Sequence, residues 1–223
     1  MSFSSIIKDE LCRVESGNVC CMRAELASVY LINGAAGAPP DSLVTENAAF
    51  ARRAYCLLKE LAKTHPDISV RKKKRLKKNA TYSIRIDSAS SLAEIIFGEA
   101  AAKADKAEDE LRLRRLIRKK CCKKAALRGA FLAGGSITDP EKLYHLEIYC
   151  KKTGLARYFS GLMADFALNP KIMERTDYSV AYVKDSEKIV DFLNLTGAHN
   201  ALMSLENTRI IKDMRNSVNR AVN

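Results

Sequence analysis

The stretch CCMRAELASVYLINGA at 20–35 returns, 101 residues further on, as CCKKAALRGAFLAGGS at 121–136. Six of the sixteen positions are identical: Cys20/Cys121, Cys21/Cys122, Ala24/Ala125, Leu26/Leu127, Leu31/Leu132 and Gly34/Gly135. The correspondence continues downstream. TENAAFARRAYCLLKEL (45–61) is answered by CKKTGLARYFSGLMADF (150–166), TYSIRI by DYSVAY, and SASSLAEIIFG by DSEKIVDFLNLTG. Two copies make a duplicated unit rather than a solenoid. A chain built this way is constrained to two similar halves.

Each unit reads helix, strand, strand, helix, strand, strand, helix, so the expected class is α+β. In the second unit Gly134-Gly135 ends the first helix, Asp139-Pro140 turns one hairpin, Asn169-Pro170 breaks the next helix, and Thr176-Asp177 turns a second hairpin. In the first unit GAAGAPPDSLVTE stands where the first hairpin belongs; rich in Gly, Ala and Pro, it predicts a degraded hairpin. Capping residues stand ahead of both SLAEIIF and SEKIVDFL. The charged stretch at 99–120 predicts a helical connector, and AHNALMSLENTRIIKDMRNSVNRAVN a long terminal helix. The opening residues predict an amphipathic helix burying Phe3, Ile6, Ile7, Leu11 and Val14. We divide the chain into 1–104 and 105–223, one repeat each, with the leading helix in the first and the connector and terminal helices in the second.

The repeated helix carries small residues at helical spacing. Ala24, Ala27, Ser28 and Leu31 form one stripe; Ala125, Arg128, Gly129, Leu132 and Ala133 occupy the matching places. Glycine inside a helix costs about 1 kcal/mol against alanine, so Gly129 needs a packing reason. Close contact between the two repeated helices supplies one, with Ala24, Ala27, Ser28, Leu31, Arg128, Gly129 and Leu132 at the interface. The other arrangement places each helix under its own sheet.

LASVYLING (26–34) and LRGAFLAGG (127–135) resemble the paired motifs of LAGLIDADG homing endonucleases. Over nearly the whole chain the match is closer to the WhiA family of sporulation and cell-division transcription regulators. LRGAFLAGGSITDPEKLYHLEI, TENAAFARRAYCLLKEL, KIVDFLNLTGAHNAL and ENTRIIKDMRNSVNR carry that resemblance. It implies two pseudo-symmetric αββαββα repeats whose strands form one saddle-shaped antiparallel sheet with helices on one side. It also implies a helix-turn-helix domain after this part, so the natural chain is expected to continue past Asn223.

In active homing endonucleases each motif ends in an acid before the last glycine, and the two carboxylates hold the divalent metal. Here those positions are Asn33 and Gly134. Asn33 offers one neutral oxygen and Gly134 no side chain, while Asp41, Asp139 and Glu141 fall in hairpin turns. Metal-assisted phosphodiester cleavage needs metal ligands, so no catalytic residue, no resident metal and no cofactor are expected. No other enzyme pattern stands out: GAFLAGG lacks the GKS or GKT of a phosphate loop, and His65, His145 and His199 lie far apart.

The seven cysteines include two adjacent pairs and read as reduced thiols of an intracellular protein. A zinc site formed from both CC pairs would require the repeats to meet there. It is set aside because no histidine is close in sequence and adjacent helical cysteines point in different directions.

A net charge of +12 favours a polyanionic partner. RKKKRLKK (71–78) has seven basic residues in eight, and RLRRLIRKKCCKK (112–124) eight in thirteen. The first run lies on the hairpin that would face DNA in a saddle. Arg71, Lys72, Lys73, Lys74, Arg75, Lys77 and Lys78 are therefore the expected phosphate contacts, with Arg85 and Arg175 on the strands behind. The expected function is a non-catalytic, DNA-binding transcription regulator acting on double-stranded DNA, cytoplasmic and nucleoid-associated, without a membrane segment. Two other readings stay open: a scaffold that binds another regulator or RNA polymerase, and a residual metal-dependent nuclease. Internal duplication already supplies twofold symmetry, so a monomer is expected.

Overall fold

The computed structural model describes residues 2–35, 37, 41–72, 80–86, 91–98 and 109–222. The first repeat comprises α1 (Phe3–Leu11), α2 (Val19–Ala35), β1 (Ser42–Thr45), α3 (Ala48–Ala62), β2 (Asp67–Lys72), β3 (Ala80–Arg85) and α4 (Leu92–Phe97). The second comprises α5 (Asp109–Leu116), α6 (Lys120–Gly134), β4 (Gly135–Ile137), β5 (Leu146–Cys150), α7 (Thr153–Ala164), β6 (Lys171–Glu174), β7 (Ser179–Val183), α8 (Ser186–Thr196) and α9 (His199–Val222).

The strands make two antiparallel sheets, ordered β1-β3-β2 and β4-β5-β7-β6. β1, β3 and β2 thus match β5, β7 and β6, and among the described residues nothing in the first repeat matches β4. The expected degraded hairpin falls partly on residues 36 and 38–40, which lie outside the described residues; β1 is its described part.

One point differs from the sequence expectation: among the described residues the strands form two ladders, one per repeat, rather than one continuous sheet. The outer edge of β4 is closed by a side chain. Ser4 Oγ, from α1, accepts from Ile137 N at 2.8 Å and donates to Ile137 O at 2.7 Å. That covers the free edge on which a further strand would pair.

Local signals act where the residues place them. Ser91 and Glu94 form a reciprocal capping box on α4, and Asp185 accepts from Glu187 N and Lys188 N to start α8. Asn47 caps α3 through Phe50 N. In α1, Ile7 and Leu11 are fully buried, whereas Ile6, expected on the buried side, is 48% exposed. Its neighbours Ile7 and Leu11 share the i, i+4 stripe that meets the core, and Ile6 lies off it. The connector helix expected at 99–120 does not run through to 120: α5 ends at Leu116, and α6 starts afresh after Lys119 adopts an extended backbone. Residues 99–108 lie outside the described residues.

The core is continuous through both repeats. Leu26, Val29, Phe131, Phe159, Phe192 and Ile84 are all buried in one apolar cluster. α3 packs on β1 and β3, α7 on β5, β6 and β7, and α2 lies against α6. α1 also ties the chain start to the last helix, because the Glu10 carboxylate accepts from Asn200 N and Ala201 N at 2.7 and 3.0 Å. A carboxylate at a helix N-terminus meets both the free N–H groups and the positive end of the dipole.

Candidate nucleic-acid interface

The seam between the repeats is α2 against α6. Ala24, Ala27 and Ser28 are fully buried there, Leu31, Leu132 and Arg128 nearly so, and Gly129 is buried with them. A Cβ on Gly129 would overlap the Glu25 carbonyl oxygen and stand 3.0 Å from its carbonyl carbon. The backbones touch at this point, and only glycine allows it. Ser28 satisfies its buried hydroxyl within the helix, donating to Ala24 O at 3.2 Å.

A buried ion cluster crosses the same seam. Glu25, 1% exposed, accepts from Arg53 Nε and, at 2.7 Å, from Arg53 Nη2. Arg128 of the second repeat donates to Glu25 Oε2 at 3.2 Å and to Thr196 O at 2.8 Å. Arg53 also donates to Val14 O, Cys12 O and Ser16 Oγ. Two guanidinium groups share one carboxylate. The fork-fork pair with Glu25 holds Arg53 firmly charged against the cost of burial, whereas for Arg128 burial prevails and lowers its pKa. This cluster was invisible in the sequence, where Arg128 was named only as one of the residues at the interface of the repeated helices.

At the C-terminal ends of the two helices stand the motif positions. Asn33 Oδ1 accepts from Val44 N of β1 at 3.0 Å, so the amide oxygen is engaged in holding helix to strand. At Gly134 a Cβ would meet Tyr149 O of β5 at 2.5 Å and Ile32 Cγ2 at 3.3 Å. Thus one position is committed to a backbone contact and the other has no space for a side chain. A cleft of about 520 Å³ beside them is lined by Lys8, Asn33, Thr45, Glu46, Leu132 and Ala133, among others. Burial pushes the Lys8 ammonium below its ordinary range. Glu46 is the one acid among the described residues lining this cleft.

The strands present a different surface on the side away from the core. Leu146 and Ile148 are buried, so alternation turns Glu147 and Tyr149 to the other face. Register sets Tyr182 opposite Glu147 and Lys171 opposite Tyr182. Tyr149 lies 5.1 Å from Tyr178 between ring centroids, and His145 lies 5.6 Å from Tyr182. Lys184 Nζ sits 5.5 Å over the Tyr182 ring. Glu147, the acid in this group, accepts from Ser136 Oγ at 2.9 Å and is 3.3 Å from His145 Nε2. Arg175, exposed, closes the β6–β7 turn by donating its N–H to Tyr178 O at 2.8 Å. The sequence reading named Arg175; it missed Tyr149, Tyr178 and Tyr182, whose signal was their alternation with Leu146, Ile148 and Ala181.

In the first sheet, Arg71 and Arg85 are exposed and, with Thr81 and Ser83, share the face opposite buried Ile84. Lys72 ends β2. Lys73, Lys74, Arg75, Lys77 and Lys78 lie outside the described residues. The second basic run is partly used internally: Arg112 is buried with its guanidinium 4.7 Å from the Phe97 ring centre, and Lys123 pairs with Asp165.

The fold brings the two CC pairs together, against the sequence expectation. The Sγ atoms of Cys20, Cys21, Cys121 and Cys122 all lie within 4.8 Å of one another. Adjacent cysteines do diverge on one helix, but two crossing helices let the diverging pairs straddle the seam.

Paired small-residue helices between two antiparallel sheets define a LAGLIDADG-type α+β protein. The homing endonuclease I-DmoI, solved in complex with DNA and Mn, shares the fold at TM-score 0.52 and 14% identity, over 80% of this chain and 97% of that one. Models of the WhiA N-terminal LAGLIDADG-like domain and the WhiA LAGLIDADG-like domain match residues 19–96 and 123–215. The chain is 45% identical to the probable cell division protein WhiA of Ruminiclostridium cellulolyticum, over 100% of this chain and 72% of that protein. It is 44% identical to the protein of the same name from Bacillus subtilis, over 100% and 71%. Full-length DUF199/WhiA from Thermatoga maritima superposes at TM-score 0.72 and 24% identity, over 99% of this chain and 72% of that one. The chain belongs to the WhiA family. No helix among the described residues is long and apolar enough to cross a membrane.

Proposed function

We propose that this chain binds double-stranded DNA as part of a cell-division and sporulation regulator, on a homing-endonuclease scaffold that no longer cleaves. The observation that carries the loss of cleavage is the pair of motif positions: Asn33 holds Val44 N, and Gly134 has Tyr149 O where a side chain would start. A lysine and one rim acid line the neighbouring cleft, a poor set for a divalent cation that needs several oxygen ligands.

Support for DNA binding comes from the open sheet faces. Tyr149, Tyr178, Tyr182 and His145 offer flat, polar-tipped surface. Arg71, Arg85, Arg175, Lys171 and Lys184 offer charge for phosphates, and the 71–78 run adds more. Such a face gives affinity that falls steeply with salt, and strand side chains give a route to the major groove. The fold division at 1–104 and 105–223 belongs to this proposal, each half gripping one side of the duplex in a monomer. Replacing Arg71, Arg85 and Arg175 together by alanine tests it. Weaker duplex binding with a shallower salt slope supports the reading, and unchanged binding removes the sheets from it.

One observation favours a second role as a protein scaffold, for another regulator or RNA polymerase. On α9, Met203, Ile210, Met214 and Val218 are 56–64% exposed and recur at helical spacing. Duplex binding that survives polar replacement of these four residues separates the two roles.

A further inference from the structure

We propose that Cys20, Cys21, Cys121 and Cys122 form a tetrathiolate site for a zinc ion that clamps the two repeats together. The four Sγ atoms lie within 4.8 Å of one another. Zinc–thiolate bonds of about 2.3 Å in a tetrahedron put the sulfurs about 3.8 Å apart. Cys121 and Cys122 already stand at 4.0 Å. Closing the rest of the cluster takes side-chain rotation on a scale of about 1 Å, with no helix displaced. A set of four cysteines needs no histidine, which removes the other objection drawn from the sequence.

The surroundings suit an anionic centre. Each pair sits in the first turn of its helix, at the start of α2 or α6. Two helix N-termini therefore converge on the thiols, and their dipoles favour negative charge there, against the burial that pushes Cys21 up to about 12 and Cys122 up to about 11. Lys119, Lys120, Lys123 and Lys124 flank the second pair in sequence. Arg23, one helical turn beyond Cys20, has a buried Nε–H that finds no acceptor among the described residues. A zinc tetrathiolate carries charge −2 and offers sulfur acceptors to such donors. Loading exchanges four thiol protons for one dication and needs no oxidant.

The site lies at the end of the seam opposite Asn33 and Gly134, about 20 Å away at 1.5 Å per helical residue. It draws two ligands from each repeat and so acts as a structural clamp. With all four positions filled by protein it is closed to substrate.

The test uses the 223-residue chain, purified with a reductant, stripped with a chelator and titrated with Co²⁺. One equivalent is expected to give the intense visible bands of tetrahedral cobalt and a thiolate charge-transfer band. One equivalent of Zn²⁺ then bleaches both, and the zinc form melts at a higher temperature. A Cys20→Ser/Cys121→Ser variant is expected to lose the bands, while Cys56→Ser/Cys150→Ser keeps them. Absence of the bands in reduced protein that retains its far-ultraviolet circular dichroism overturns the proposal. So does finding the four thiols closed as disulfides in protein isolated with a thiol-blocking reagent.

Discussion

Gly129 lies directly on the main-chain carbonyl of Glu25, so the two repeats meet backbone to backbone. Gly129→Ala sets a methyl carbon against a carbonyl group that cannot rotate away. The expected loss is about 1–3 kcal/mol, despite the better helix propensity of alanine. Gly161→Ala in α7, where nothing lies within 4 Å of the new methyl, is expected to gain up to about 1 kcal/mol. Urea unfolding of the two variants beside the parent checks the pair.

Glu25 is the shared counter-charge of Arg53 and Arg128. Glu25→Ala strands two buried guanidinium groups and is expected to cost about 3–5 kcal/mol. Arg128→Met is expected to cost less than Arg53→Met, because it leaves the forked Arg53–Glu25 pair intact, whereas Arg53→Met leaves Glu25 with the single 3.2 Å contact to Arg128. Chemical denaturation gives the ordering; equal losses would mean that Arg128 contributes as much as the forked pair.

Placing acids at the two motif positions is not expected to make a nuclease. In Asn33→Asp/Gly134→Asp the second carboxylate has to displace Tyr149 O, so lower thermal stability and no Mg²⁺-dependent plasmid nicking are expected. Nicking by this variant would show that only two side chains separate the chain from catalysis.

Lys8 is held below its ordinary pKa by burial. The folded state therefore binds its proton less tightly than the unfolded state. In the window between that lowered value and 10.5, stability from this residue rises with pH; below the window the charged form carries its burial cost in full. Lys8→Met is expected to be at least as stable as the parent at pH 7 and to lose this alkaline gain. Melting curves from pH 7 to 10 measure it.

Burial pushes both Cys12 and Cys150 up to about 12. At pH 8 both remain thiols, and iodoacetamide is expected to label the exposed Cys56 well before either. Peptide mass mapping over a time course reads the order.

Much of the fold was legible because the repeat could be read twice. Where the second copy was clear, with Gly134-Gly135, Asp139-Pro140 and Asn169-Pro170 as punctuation, the first copy could be interpreted from it. Gly129 announced close helix packing, since a glycine inside a helix requires a reason. The Glu25–Arg53–Arg128 cluster was not legible, because its members are separated by 28 and 103 residues and only the tertiary fold unites them. The cysteine cluster failed for a related reason: directions on one helix say nothing about where a partner helix lies. Ser4 on the β4 edge is a further long-range contact, 133 residues from Ile137.

The central claim is that this scaffold grips a duplex without cutting it. Fluorescence anisotropy of the chain with a labelled duplex across a salt series, with and without Mg²⁺, tests it most directly when the same samples are then run on a gel. The account predicts binding whose affinity falls steeply with salt, by about 0.9 in the log–log slope per phosphate contacted, and intact DNA throughout. No binding at low salt, or nicked DNA with Mg²⁺, would contradict it.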